Sequence, residues 1–220
     1  KIARNEDDRL DDEEIDQIVS EPHYNSAVLP WDNFIMFWME VKSFLKNKTN
    51  IPVISPAKAS IYAIPVNFHN LHKIRWPLKS SCEGFDHQIF DEVIEIASSL
   101  ADENVEPFSL WEYPCIALSK NPTEIFEMNM NDKAIRETER TIKVEDFSRC
   151  CNGIALWVEY GNTKASCASM LGKYIDWRPE ERQGVHLISS ANIEDGRISC
   201  VTIKTSFKNQ KLVMEFSYKN

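Results

Sequence analysis

Glycine is scarce in this chain, with six in 220 residues. Gly84, Gly153, Gly161, Gly172, Gly184 and Gly196 never stand two close together. A glycine-rich turn lets backbone N–H groups close on a phosphate or a dinucleotide, and none is present. A Gly-x-Ser-x-Gly elbow, a His-Glu-x-x-His helix and a catalytic cysteine context are also missing. The five histidines are scattered, and His69 and His72 fall in a turn or strand region where a three-residue spacing does not converge on a metal. Six cysteines occur without a Cys-x-x-Cys, and adjacent Cys150 and Cys151 are hard to bridge. They read as reduced thiols of an intracellular protein. No apolar run approaches the roughly 20 residues of a membrane span, and no signal peptide is visible. The chain opens on Lys1 without a methionine, which reads as a fragment of something longer.

Acidity is concentrated. The net charge is -9, and the first 16 residues hold eight acids against three bases. The remainder is only mildly acidic, which argues against binding held by nucleic-acid phosphates. Residues 1–13 read as a solvated loop. Glu14–Val19 reads as a short strand, and Glu21 follows it. A carboxylate just past a strand's end is a common place for catalysis, although a plain loop acid is the commoner reading of a residue such as Glu21.

Two helices stand out. Asp32–Lys46 carries Phe34, Ile35, Trp38, Val41, Phe44 and Leu45 at helical spacing, with Asp32 or Asn33 as cap and Lys42, Lys46 and Lys48 towards its end. Its aromatics, with Trp31, read as core. Residues 49–60 read as a connector and Ala59–Phe68 as an alternating strand, in which Pro65 suggests an edge or a bulge. Leu71–Trp76 suits a continuation of the sheet. The second helix, Asp86–Ala101, has Ile89, Phe90, Val93, Ile94, Ile96, Ala97 and Leu100 on a wide apolar stripe. Asp86 can cap it, and Glu106-Pro107 bars its extension.

Short strands recur after Pro114: Glu124–Met130, Glu137–Val144, Ile154–Tyr160, Ala168–Leu171, Gly184–Ser189, Gly196–Phe207 and Leu212–Tyr218, the last two bracketing a hairpin turn at Lys208-Asn209-Gln210. The pattern is α+β, mostly β, with an antiparallel barrel or sandwich. A helical excursion from such a domain must bury its apolar face on something.

SCEGFD at Ser81–Asp86, followed by a helix and then LWEYPC at Leu110–Cys115, resembles the second module of the protein arginine methyltransferases that carry two tandem modules. Ser20-Glu21-Pro22, Leu29-Pro30-Trp31 with the aromatic helix, Ser60–Phe68 with Lys73-Ile74-Arg75, Gly153–Tyr160 and Gln183–Ser189 extend the resemblance in order over residues 14–218. It implies residues 1–58 as the tail end, strand plus helix, of a Rossmann-like methyltransferase fold. It implies residues 59–220 as an antiparallel β-barrel with a helical dimerisation-type arm at 82–110. In this family the Rossmann-like half binds S-adenosylmethionine, and two glutamates on a hairpin hold the substrate guanidinium.

This chain departs from that pattern. Glu21 sits near the double-glutamate hairpin, but Ser-Glu-Pro-His-Tyr lacks the paired acids, so Glu21 is at most a vestige. Where a Thr-His-Trp loop is expected, Asp176–Gln183 has no histidine, and Arg178 and Arg182 oppose a cationic substrate unless Asp176, Glu180 and Glu181 neutralise them. The resemblance therefore implies the degenerate, non-catalytic C-terminal half of a type III, monomethylating enzyme of the cytoplasm and nucleus. S-adenosylmethionine would be bound by the N-terminal module. The implied partners are that module and arginine-containing protein substrates such as histones and RNA-binding proteins, with no direct nucleic-acid or membrane contact. Ile89, Phe90, Val93, Ile94 and Ala97 would be the docking face, unless the stripe packs on this chain's own barrel. The competing reading is a non-enzymatic barrel that grips a peptide with the Trp31–Trp38 aromatics and Trp177. An independently active methyltransferase is the third, and the missing cofactor loop opposes it.

Overall fold

A computed structural model describes residues 15–20, 29–46, 48, 50–78, 83–101, 103–161, 182–194 and 197–220. It is mostly sheet, with few helices. The chain starts as a parallel pair, β1 (Gln17–Val19) against β2 (Val53–Ser55), bridged by helix α1 (Asp32–Leu45). The connector expected at 49–60 thus contains one strand and the start of another. Helix α1 matches its expected span, but its cap differs. Trp31 is the N-cap residue and no side chain caps the helix, because the Asp32 carboxylate turns back to accept the Leu29 N–H at 3.2 Å. Burial holds the Asp32 carboxyl above the usual range, opposed by that hydrogen bond.

The main sheet runs β4 (Glu106–Phe108), β9 (Gln183–Leu187), β8 (Gly153–Tyr160), β3 (Lys58–Phe68), β5 (Cys115–Ala117), and β6 (Thr123–Asn129) also pairs with β3. Pro65 does not mark an edge. Strand β3 is central, with β8 along one side. Its other side pairs β6 at residues 58–63 and β5 at 66–68, so the missing N–H of Pro65 falls in the gap between them. A second sheet has the order β11 (Lys211–Lys219), β10 (Cys200–Lys208), β7 (Thr138–Lys143). Its hairpin closes at Asn209 and Gln210, both at positive φ, as a two-residue turn with matching twist requires. Among the described residues the pairings form these separate sheets and do not close into a ring.

Alternate residues of the main sheet serve two cores. Ile154, Leu156 and Val158 of β8 face one with Phe34, Ile61, Ile125, Val201 and Ile203, while Ala155 and Trp157 face the other with Val66, Phe68, Leu110 and Val185. A strand buried on both faces loses the polar alternation, which explains the near-continuous apolar run of β8. Close backbone approach is visible at Gly184, where a Cβ would lie 2.5 Å from Cη2 of Trp31. Leu71–Arg75 is a 3-10 helix, not a continuation of the sheet. Buried Asn152 holds that corner. Its Oδ1 accepts the Phe68 N–H at 2.7 Å, and its Nδ2 donates to the Phe68 carbonyl at 2.9 Å and to His72 Nδ1 at 3.0 Å.

Candidate functional site

The expected arm forms as helix α2 (Gln88–Ala101), starting two residues after Asp86. Asp86 does assist the start: its Oδ1 accepts the Gln88 N–H at 2.9 Å. At 3.6 residues per turn, Ile89, Phe90, Val93, Ile94 and Ala97 share an arc of roughly 140°. This arc is not packed on the chain's own sheets. Ile89 is 75% exposed, Phe90 66%, Val93 57% and Ile94 36%, and Ala97 is exposed too. Phe85 at the helix's start is 70% exposed. Apolar side chains facing water at this density are uncommon on a monomer surface. Outside this arc, Asp91 Oδ1 accepts the Leu78 N–H at 2.9 Å.

Both roots of the arm are tied to the end of the main sheet. At the first root, Trp76 Nε1 donates to the Ile188 carbonyl at 3.1 Å, and His72 meets the Trp76 ring edge-on at 4.5 Å. At the second, the Asn104 amide donates to the Met214 carbonyl at 3.0 Å, and the Asn104 carbonyl lies 2.5 Å from His186 Nδ1. The other ring nitrogen of His186 bonds the Tyr218 hydroxyl, and its ring stacks on Phe216 with centroids 3.7 Å apart. Arg75 Nη2 and Glu106 Oε2, 2.7 Å apart, tie root to root. Burial, helped by the positive charge of Arg75 and opposed by the Asn104 bond, lowers the His186 pKa to about 4. Burial raises that of Tyr218 and pushes the Cys151 thiol up to about 12.

The LWEYP turn has a structural role. Leu110 is buried, its N–H donates to Oε1 of fully buried Gln183 at 2.8 Å, and the Pro114 carbonyl accepts from His69 N–H at 3.2 Å. Gln183 was invisible as a site from sequence, since a polar residue at a strand start carries no signal until the fold buries it. The His186 cluster carries no sequence signal either, because His186 lies tens of residues from both Asn104 and Tyr218.

Glu21, Arg178, Trp177 and Asp176–Glu181 lie outside the described residues. Trp31, Phe34 and Phe37 are buried and Trp38 packs edge-on to Phe207 at 6.5 Å, so the first of these aromatics are core and do not form an open peptide cage. Gly84 and Gly161 have positive φ and sit in turns. No group of three His, Cys, Asp or Glu among the described residues is placed to hold a metal.

No family model matches the chain. Protein arginine N-methyltransferase 7 of Drosophila melanogaster is 38% identical over 198 residues, which are 84% of this chain and 28% of the relative. The same-named protein of Drosophila ananassae is 38% identical over 221 residues, 94% of this chain and 31% of the relative. This chain is homologous to a segment of the protein arginine methyltransferases. It spans about three tenths of the length of these relatives. The fold agrees with a solved Trypanosoma brucei PRMT1 enzyme–prozyme heterotetrameric complex with AdoHcy, at a TM-score of 0.50 and 12% identity, covering 94% of this chain and 64% of that one. That likeness concerns the fold alone.

Proposed function

We propose that this chain is the C-terminal, non-catalytic half of a protein arginine N-methyltransferase, and that it supports an N-terminal catalytic module by docking α2 against it. The exposed stripe Ile89, Phe90, Val93, Ile94 and Ala97 is the observation that carries this reading. Each large aliphatic or aromatic side chain contributes about 1.5–3 kcal/mol when fully buried. A tethered module meets its partner at an effective concentration of the order of millimolar. Docking therefore needs only about 4 kcal/mol, which a few of these side chains supply.

In this reading β1, β2 and α1 are the tail of a Rossmann-like fold, and the two sheets belong to the family's barrel. Supporting it, β1–β2 is parallel and Val19 and Val53 are exposed on it, whereas parallel sheets are ordinarily covered on both faces. The catalytic module binds S-adenosylmethionine and monomethylates arginines of protein substrates such as histones and RNA-binding proteins, in cytoplasm and nucleus. The present half contributes no step to that transfer.

The test replaces Ile89 and Ile94 together by Asp in the full-length protein. Methylation of an arginine peptide should fall at least tenfold, with the circular dichroism of the sheets unchanged. Unchanged methylation would sink the docking role. A complementary titration of this chain with S-adenosylmethionine should give no saturable binding at micromolar concentration.

A further inference from the structure

The arm touches its own domain at its roots, so whatever fixes the roots fixes the direction of the arm. We infer that Asn104, His186 and Tyr218, with the Arg75–Glu106 pair, are positioning residues that set the angle at which α2 leaves the sheets; the inference rests on the docking reading above.

The hydrogen-bond directions follow from chemistry. A backbone carbonyl only accepts, so His186 Nδ1 carries the proton facing Asn104 O. The neutral ring then has only a lone pair on Nε2, and the Tyr218 hydroxyl must donate to it. One side chain of β9 thereby locks the returning root of the arm to β11, and Phe216 fixes the ring plane from the same strand. The Asn104 side chain adds a second tie to β11 through the Met214 carbonyl. The other root is tied just past β9 at Ile188, and Arg75–Glu106, with side chains 18% and 32% exposed, joins the two. None of these bonds belongs to a strand ladder. All of them converge where the arm begins and ends.

The lever arithmetic shows why this matters. At 1.5 Å per residue α2 is roughly 21 Å long. A 15° swing at the root moves its far end by about 5 Å, a full side-chain width. Packed interfaces do not tolerate that displacement.

The experiment uses the full-length protein with Tyr218→Phe, His186→Phe and Arg75→Glu. Tyr218→Phe removes one hydroxyl and keeps the ring. It should lower kcat about fivefold, the worth of one ordinary hydrogen bond, with KM for S-adenosylmethionine within about twofold. Hydrogen exchange should rise at residues 104–106 and in α2 but not in β3 or β8. His186→Phe should have the larger effect. Arg75→Glu should lower kcat, and the added Glu106→Arg should restore most of it. In the Ile89→Asp/Ile94→Asp background these substitutions should change little further, because the arm is already undocked. Parental kcat in folded Tyr218→Phe and His186→Phe would overturn the inference and leave docking standing, as would absent charge-reversal rescue. Effects that persist in full in the undocked background would show a role in stability alone. An Ile89→Asp/Ile94→Asp variant with parental activity would instead overturn the docking reading itself. Should His186→Phe fail to fold, Tyr218→Phe decides.

Discussion

Strand β8 and helix α2 are both rich in apolar residues, and the chain treats them oppositely. In β8 every residue except Glu159 is buried, with Trp157 at 1% exposure. On α2 the apolar face is open to water. The difference lies in topology. Strand β8 is hydrogen-bonded on both edges, between β9 and β3, and covered on both faces. Helix α2 completes its hydrogen bonds internally, so it can project from the domain without leaving backbone groups unmet. A strand needs neighbours to exist at all. A helix needs a neighbour only for its apolar face, and that neighbour need not belong to the same domain.

Substitutions should break this contrast in graded steps. The largest effect is expected at Trp157→Ala, a loss of about 3–5 kcal/mol from cavity formation, read as a lower urea midpoint. Ile89→Asp/Ile94→Asp should change the unfolding free energy by under about 0.5 kcal/mol while lowering methylation by the full-length protein at least tenfold. Gly184→Ala forces a Cβ against the Trp31 ring at 2.5 Å and should cost about 1–3 kcal/mol. Thermal melts check it.

His186 gives the contrast a pH dependence. Its folded pKa of about 4 lies below the ordinary 6.5, so between those values the unfolded chain takes up the proton more readily. The stabilisation is complete above pH 6.5 and is lost as pH falls towards 4, by roughly 1–2 kcal/mol for a partly exposed ring. Urea titrations over this range should show the decline, and His186→Phe should flatten it. The smallest effect is expected at Lys58→Ala. Its 2.6 Å pair with Glu127 is solvent-exposed at both ends, and its loss should fall within about 0.5 kcal/mol.

Local pattern carried much of the fold. The 14-residue span of α1, the β10–β11 hairpin and strands β3, β6, β7 and β8 were legible because hydrophobic period and turn residues act over a few positions. Strands β4 and β5 escape the sequence pattern because β4 contains Pro107 and β5 directly follows Pro114, and proline reads there as a breaker. The 3-10 helix at Leu71–Arg75 was mistaken for sheet. Its two apolar residues fit either state, and Leu71 is buried against the second core. By sequence Pro65 suits an edge or a bulge, because an absent N–H is usually tolerated at either. Here the handover from β6 to β5 removes the need for it.

For the site, the sequence by itself determined that α2 would be a helix with one apolar stripe, since 3.6-residue spacing is a property of neighbours along the chain. It also carried the likeness to the arginine methyltransferases through SCEGFD and LWEYPC. Only the tertiary structure decided that the stripe faces water, because burial depends on which surfaces the other strands have already filled. Only the tertiary structure assembled the arm's roots from Arg75, Asn104, Glu106, His186 and Tyr218. Hydrogen bonds between residues so far apart in sequence exist only after the sheets have brought β4, β9 and β11 together.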